Sequence, residues 1–209
     1  MNIKAVVFDY GQVISFPQDP KVMDELAMLC GVDREKFKSA LWSLRTEYDR
    51  GTINSKEYFK KVLTHLNVYP EQKLIDKMVK IDLESWKNIN PETVALMEEI
   101  KKAGYTLGIL SNMPNDFLVW ARKNIPVFSL PHIGLFSCEV NLIKPEEAIY
   151  KKLLSMLGIE SRELVFFDDN MENVKSAEAI GIRAILWETC ESARRELLSL
   201  GVVLQSVYD

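Results

Sequence analysis

Several polar side chains able to do chemistry stand at or just after the ends of short apolar segments. They are Asp9, Ser111, Asn112, Lys144, Asp168 and Asp169. A carboxylate can attack phosphorus and divide a difficult hydrolysis into two easier steps. A lysine, a hydroxyl and an amide can neutralise or bind the charged phosphoryl oxygens. The set therefore suits phosphoryl transfer through an aspartyl intermediate on Asp9.

The same carboxylates could hold a divalent cation. Mg²⁺ prefers oxygen ligands in octahedral geometry and usually takes one or two carboxylates, while water and phosphate complete its shell. Asp9 and Asp169, with a backbone carbonyl from the turn at Gly11, make such a site, and Asn173 follows Asp169 by four residues. Carboxylates placed this close would repel one another strongly without a cation between them.

Each motif also has an ordinary structural interpretation. Asp9 can cap the element that follows it. The pair Ser111-Asn112 can form a turn, and a Lys-Pro dipeptide is typical of the entry to a helix. The Asp-Asp pair after Phe167 can be a helix N-cap. The order of the motifs, each at the end of a different apolar segment, argues against chance.

The apolar segments predict a doubly wound α/β fold. The predicted strands cover residues 5–8, 105–110, 133–138, 164–167, 183–186 and 202–204. The predicted helices between them cover residues 92–103, 116–123, 146–157, 172–180 and 192–200. This alternation indicates a parallel sheet with right-handed crossovers. The carboxyl ends of its strands would meet at one crevice.

Residues 16–89 interrupt the alternation. Four consecutive helices are predicted there: residues 21–30, residues 34–48, a third that is capped by Asn54 or Ser55, and a fourth that begins at Pro70. Four helices without a strand between them do not belong inside a βαβ repeat. The sequence therefore predicts an α/β core domain from residues 1–15 and 90–209, with residues 16–89 inserted as a helical cap domain.

Composition argues against several other functions. The net charge of −4 gives no electrostatic indication of a nucleic-acid partner or of an anionic membrane surface. The N-terminal apolar run is too short for a signal peptide, and no other stretch is long enough to span a bilayer. Cys30, Cys138 and Cys190 lack C-x-x-C spacing, so neither a disulfide framework nor a zinc site is expected. We expect a cytoplasmic protein that binds neither nucleic acid nor membrane.

Together the motifs resemble those of the haloacid dehalogenase superfamily, over essentially the full chain. The segments that carry the resemblance are Phe-Asp-Tyr-Gly-Gln-Val, Leu-Ser-Asn, Ile-Lys-Pro and Phe-Phe-Asp-Asp-Asn-Met-Glu-Asn. The insertion point resembles that of the helical-cap subclass. Similar members include phosphatases of the glucose-1-phosphate phosphatase type and the phosphatase domain of soluble epoxide hydrolases. The resemblance implies a Rossmann-like core and Mg²⁺-dependent chemistry on small phosphate esters.

The resemblance also implies roles for the residues around the phosphoryl group. Asp9 is similar to the family's nucleophile. Ser111 and Asn112 stand where the family binds the phosphoryl group. Lys144 stands where the family steadies both the nucleophile and the phosphate.

The metal ligands are implied in the same way. Asp169 would bind Mg²⁺ directly, and Asp9 would share the ion through its carboxylate. Gly11 would contribute its backbone carbonyl. Asp168 and Asn173 would lie in or behind the coordination shell.

One position departs from the family pattern. Most phosphatases of the superfamily carry a second Asp two residues after the nucleophile, which protonates the leaving group and later activates water, whereas this chain has Gly11. Losing such a group typically costs on the order of 10²–10⁴-fold in rate. A good leaving group, such as a phosphate on an anomeric carbon, would tolerate the loss. A cap residue could instead supply the proton, and Glu47 and Asp49 are candidates, although a solvated helix end is the plainer interpretation.

The sequence therefore predicts a Mg²⁺-dependent phosphatase acting on a small phosphomonoester, such as a sugar phosphate. The alternative is a non-catalytic phosphate- or metabolite-binding protein on the same scaffold, because of Gly11. A true dehalogenase is disfavoured, since the Asp-Asp pair implies a metal that dehalogenation does not need. His65 and His132 are expected to be surface or packing residues. Substrate identity and oligomeric state leave no trace in the sequence.

Overall fold

The computed structural model describes residues 2–204. The strands of this part of the chain are β1 (Ala5–Phe8), β2 (Thr106–Ser111), β3 (Ile133–Phe136), β4 (Leu164–Asp168) and β5 (Arg183–Leu186). They form one sheet in the order β3-β2-β1-β4-β5, and all neighbours are parallel. Because β1 lies between β2 and β4, these three strand ends meet at the point where the strand order reverses. Open α/β sheets bind ligands at that point.

Helices cover both faces of the sheet. The labels α1 to α5 belong to the helices between β1 and β2, which are given in the next paragraph. The helices on the sheet are α6 (Pro91–Lys102), α7 (Asn115–Asn124), the short α8 (Ser137–Val140), α9 (Glu147–Leu157), α10 (Met171–Ala179) and α11 (Cys190–Ser199). Val6 and Phe8 pack into the cluster that holds α6, α7 and α11, whereas Ala5 and Val7 pack into the cluster of α9 and α10. Alternate side chains of β1 thus point to opposite faces, which confirms the doubly wound α/β fold.

The chain between β1 and β2 is helical. Its elements are α1 (Pro20–Cys30), α2 (Arg34–Ser43), α3 (Arg45–Asp49), α4 (Ser55–His65) and α5 (Gln72–Ser85). They enclose a hydrophobic cluster of their own, which includes Leu26, Phe37, Tyr58 and Phe59. None of the helices in residues 2–204 combines the length and the apolar character that crossing a bilayer requires. The division into two domains stays a prediction.

The predicted helix over residues 34–48 is wrong as a single element. It divides at Leu44, whose φ of −103° and ψ of 3° are not helical. The second segment, α3, turns Tyr48 onto Tyr58 of α4, and the two rings stack at 4.5 Å between centroids. Tertiary packing of these aromatic rings outweighs the local preference for a continuous helix.

Two strand predictions also differ from the structure. The strand predicted over residues 133–138 ends at Phe136, because Ser137 leaves the sheet edge and its hydroxyl accepts from the Met113 N–H at 2.8 Å. Residues 202–204 form no strand: the Val202 N–H bonds to the Leu197 carbonyl and closes the end of α11. The helix predicted from Pro70 begins two residues later, at Gln72.

The proposed division into a core and a cap can be tested with a cavity in the insert. Phe59 is fully buried in α4, so Phe59→Ala should lower the free energy of unfolding by about 3–5 kcal/mol. Hydrogen exchange should accelerate in α1–α5 while the amides of β1 and β4 keep their protection. Phe166→Ala in β4 is the matched control and should show the reverse pattern. Equal acceleration everywhere in Phe59→Ala would mean that the chain opens as one unit.

Candidate active site

Asp9 stands at the carboxyl end of the central strand. Its backbone N–H donates to the Phe167 carbonyl at 2.8 Å, which extends the pairing of β1 with β4 by one residue. Its Oδ1 accepts from the Tyr10 N–H at 2.7 Å. A wide turn, Tyr10–Ile14, then carries the chain away from the sheet. Asp9 is 8% exposed, so its carboxylate lies in a nearly dry crevice.

The ammonium group of Lys144 lies between two carboxylates. Its Nζ is 2.9 Å from Oδ1 of Asp9 and 2.6 Å from Oδ2 of Asp168. It also donates to the Leu110 carbonyl at 3.1 Å. The side chain is 1% exposed, and three acceptors satisfy its three donors. One buried cation thus joins the ends of β1, β2 and β4.

Asp168 is held from both sides. Its Oδ2 faces the ammonium, while its Oδ1 accepts from the Asn170 N–H and from Nδ2 of Asn173, both at 2.9 Å. Asp168 is fully buried. Both of its oxygens therefore have protein partners, and Asn173 acts by fixing this carboxylate.

Asp169 is the more open member of the acidic pair. It is half-buried, and its Oδ2 accepts from Nε2 of Gln12 at 2.6 Å. Gln12 could not be predicted from the sequence, because no motif marks a glutamine in this turn as a partner for a residue 157 positions away. Gln12 adopts a left-handed φ of 59°, a conformation that is uncommon for a residue with a side chain. The turn thus aims an amide at the carboxylate predicted to bind the metal.

Ser111 and Asn112 follow β2 and have different surroundings. Ser111 is buried and lines the same cavity as Asp9. The Asn112 side chain bonds twice to the backbone of Lys144, accepting from its N–H at 2.8 Å and donating to its carbonyl at 2.9 Å. The Asn112 amide therefore positions Lys144. The backbone N–H of Asn112 and the second hydrogen of its Nδ2 are the donors left for a phosphoryl group.

Burial and mutual repulsion perturb the acidic groups. The pKa of Asp9 is raised to about 7, mainly because the carboxyl group is buried. The Lys144 charge lowers this pKa, and the charges of Asp168 and Asp169 raise it. Burial, followed by the Asp168 charge, also raises the pKa of Asp169. Burial alone would lower the pKa of Lys144, but Asp9 and Asp168 outweigh it and hold that pKa above its ordinary value. The ammonium therefore stays charged, and it does not fully compensate three neighbouring carboxylates.

The three carboxylates fit a divalent cation. One oxygen from each of Asp9, Asp168 and Asp169 lies within 4.8 Å of the others. Oxygen donors of this kind match the preference of Mg²⁺, and the repulsion that raises the pKa of Asp9 is what a cation would relieve. The donor set therefore supports the predicted magnesium site.

The fold does not require a glycine at position 11, where the sequence departs from the family pattern. Gly11 has φ −64° and ψ 130°, a region open to any residue. A Cβ added there would meet Cζ3 of Trp86 at 3.7 Å, which is ordinary contact. Neither the backbone conformation nor the space around a Cβ requires glycine at this position.

A cavity of about 100 Å³ lies over Asp9. The insert contributes Trp42, Arg45, Asp49, Asp82 and Trp86 to its lining, opposite Ser111 and Asn112. The Asp9 carboxylate therefore lies between the strand ends on one side and residues of α2, α3 and α5 on the other, together with Trp86, which follows α5. The enclosed space is small, which favours a small ligand.

The two acids suggested as proton donors lie in different places. Asp49 lines the cavity. The Glu47 side chain is 57% exposed and pairs with Lys61. His65 and His132 do not line the cavity, and Nδ1 of His132 accepts from the Leu107 N–H at 3.0 Å.

Replacing Lys144 tests whether its ammonium holds the site together. Lys144→Met leaves Asp9 and Asp168 without their buried counter-charge, so the free energy of unfolding should fall by about 3–5 kcal/mol. Denaturant titration measures it. Lys151→Met removes an exposed lysine paired with Glu147 and should change stability little. Equal effects of the two substitutions would contradict the role given to Lys144.

The raised pKa of Asp9 predicts that metal binding depends on pH. Below pH 7 Asp9 holds a proton in the metal-free protein, and a bound cation requires its carboxylate. Mg²⁺ affinity should therefore fall as the pH drops through 7, by about tenfold per pH unit for one released proton. Calorimetric titration in buffers of different ionisation enthalpy measures both the affinity and the proton release. A Mg²⁺ affinity that stays the same as the pH is lowered through 7 would contradict the assignment of Asp9 as a ligand.

The chain has relatives among known proteins. Residues 3–181 match the family model described as haloacid dehalogenase-like hydrolase. The chain is 26% identical to phosphatase MT3486 of Mycobacterium tuberculosis (strain CDC 1551 / Oshkosh), over 98% of each chain. It is 25% identical to bifunctional epoxide hydrolase 2 of Sus scrofa over 94% of its own length, and that match spans 38% of the longer protein.

A solved structure shows the same fold. The HAD family enzyme bt-2542 of Bacteroides thetaiotaomicron, in complex with magnesium and inorganic phosphate, superimposes with a TM-score of 0.70. The match covers 90% of this chain and 95% of that chain at 23% identity, so it speaks for the fold. The family model covers most of the sequence, and the chain belongs to the haloacid dehalogenase-like hydrolases.

Proposed function

We propose that the protein is a Mg²⁺-dependent phosphatase that hydrolyses a small phosphomonoester through an aspartyl-phosphate on Asp9. One observation carries the proposal. Asp9, Asp168 and Asp169 converge around the buried ammonium of Lys144. The names of the relatives add support, since one is a phosphatase and a neighbour of the same fold was crystallised with magnesium and inorganic phosphate.

In the first step an Asp9 oxygen attacks phosphorus. A bond from that oxygen to phosphorus forms, the bond to the ester oxygen breaks, and the leaving oxygen takes up a proton. Lys144 holds Asp9 in place at 2.9 Å and places positive charge beside the phosphoryl oxygens, while the Ser111 hydroxyl is available as a further donor. Fixed donors in a dry site stabilise such charge more than water does.

In the second step a water molecule attacks phosphorus, the bond to Asp9 breaks, and inorganic phosphate and a free carboxylate remain. When bound between Asp9 and Asp169, Mg²⁺ would supply further neutralisation of the phosphoryl charge. Asp9 is only 8% exposed, which limits the access of water to the reacting carboxylate and so limits competing reactions.

Turnover of a panel of phosphorylated metabolites tests the proposal. The wild type should release phosphate from at least one small ester, and a chelator should stop the release. Asp9→Asn should reduce the rate to background because it removes the nucleophile. Asp24→Asn replaces an exposed aspartate of α1 and should retain full activity. A wild-type rate no higher than that of Asp9→Asn across the panel would sink the proposal.

The second candidate is a phosphate- or metabolite-binding protein without turnover, and Gly11 is the observation that favours it. In that case calorimetry would show Mg²⁺-dependent binding of a phosphate ester while no phosphate is released. Gly11→Asp would then create activity, since it restores the acid of the family pattern at a position whose backbone and Cβ space accept a side chain. Phosphate release by the wild type itself would rule out this second candidate in favour of the phosphatase.

A further inference from the structure

The segment around Asp49 is fastened to the core beside the strand ends. The Asp49 carbonyl accepts a hydrogen bond from the Ser137 hydroxyl. The same hydroxyl accepts from the Met113 N–H at 2.8 Å, and Met113 lies two residues after Ser111. The Ser137 hydroxyl therefore bridges the backbone of Asp49 and the loop that follows β2.

The next two residues add to this attachment. Arg50 makes a two-pronged ion pair with Glu146, at 2.6 and 3.0 Å, and Glu146 lies two residues after Lys144. Gly51 has a left-handed φ of 80°, and a Cβ there would come within 2.7–2.9 Å of Cys138 atoms. Only glycine permits so close an approach. The position of Asp49 over the cavity is thus fixed by contacts on both sides.

The Asp49 side chain is oriented from within the insert. Its Oδ1 is 2.7 Å from Nε of Arg45, and Asp82 lies on another side of the same guanidinium, at 3.7 Å from Nη1. The three side chains are 14%, 11% and 5% exposed, respectively. Because two carboxylates share one guanidinium, Arg45 orients Asp49 while its positive charge is offset by Asp82.

The charge environment suits a group that gives and takes a proton. Burial raises the pKa of Asp49 to about 6 against the lowering by Arg45, Asp82 raises it further, and Lys144 lowers it. Asp49 and Asp9 line the same cavity. General acids work best with a pKa close to the working pH.

We propose that Asp49 is the catalytic proton donor of the site, supplied by the insert in place of the acid absent at Gly11. This inference rests on the proposed phosphatase function. As the Asp9 oxygen forms its bond to phosphorus and the ester bond breaks, the Asp49 proton passes to the leaving oxygen and an alcohol departs. The Asp49 carboxylate then accepts a proton from the attacking water, which leaves phosphate and a protonated Asp49. Arg45 and Asp82 are positioning residues.

The test compares two leaving groups. An aryl ester such as para-nitrophenyl phosphate leaves as a stable phenolate without a proton, whereas an alkyl phosphate requires one. Asp49→Asn should lower kcat/KM by about 10²–10⁴-fold for the alkyl phosphate that the wild type hydrolyses fastest, and by less than about tenfold for the aryl ester. Asp49→Glu should restore part of the alkyl activity. Glu47→Gln, on the same helix but outside the cavity, should change neither.

A similar loss on both esters, or no loss on either, would overturn the assignment of Asp49 and leave the phosphatase proposal intact. Absence of wild-type turnover above the Asp9→Asn background would instead overturn the phosphatase proposal, and this inference with it.

Substituted phenyl phosphates give a second measurement on the unaltered protein, which decides even if Asp49→Asn does not fold. A donated proton predicts nearly constant kcat/KM along the series, whereas a steep fall with increasing basicity of the leaving phenolate would overturn the proposal.

Discussion

The site depends on one buried cation between two carboxylates. Lys144 approaches Asp9 and Asp168 at 2.9 and 2.6 Å and also bonds to the carbonyl of Leu110. Removing an ammonium and carboxylates from water is expensive unless they meet in good geometry with their remaining hydrogen bonds satisfied. The neighbouring strands supply that geometry, since β1, β2 and β4 end side by side. Asn112 and Asn173 complete it, one by holding the Lys144 backbone and the other by holding Asp168.

The same arrangement leaves an excess of negative charge, which is the basis of the proposed cation binding. A cluster satisfied by its own lysine would be a structural ion pair and nothing more. Here Asp169 adds a third carboxylate, and the pKa of Asp9 rises to about 7 because burial and repulsion exceed the effect of Lys144. A divalent cation would offset this charge, and together with Lys144 it would attract a negatively charged phosphoryl group. The insert then closes the site, and Gly51 permits its close contact with Cys138.

The strand ends could be predicted from sequence because each depends on local pattern. Short apolar runs mark buried strands, and polar residues directly after them must share one crevice in a parallel sheet. Asp9, Ser111 and Asp168 were identified in this way. Gln12 was not, since its contact with Asp169 is set by the conformation of a turn and not by spacing. The break at Leu44 was missed for a similar reason, because stacking between Tyr48 and Tyr58 causes it.

Asp49 shows where sequence reasoning stops. Its spacing from Glu47 gives no reason to prefer either acid, and a solvated helix end explains both. Only the contacts of Ser137 and Arg45 distinguish the buried acid from the exposed one.

Trapping the intermediate is the most direct test of the whole account. Protein quenched in acid during turnover and mapped by mass spectrometry should carry one phosphoryl group, on the peptide that contains Asp9. A phosphoryl group on another residue, or turnover with none on Asp9, would contradict the claim that Lys144 holds Asp9 ready to attack.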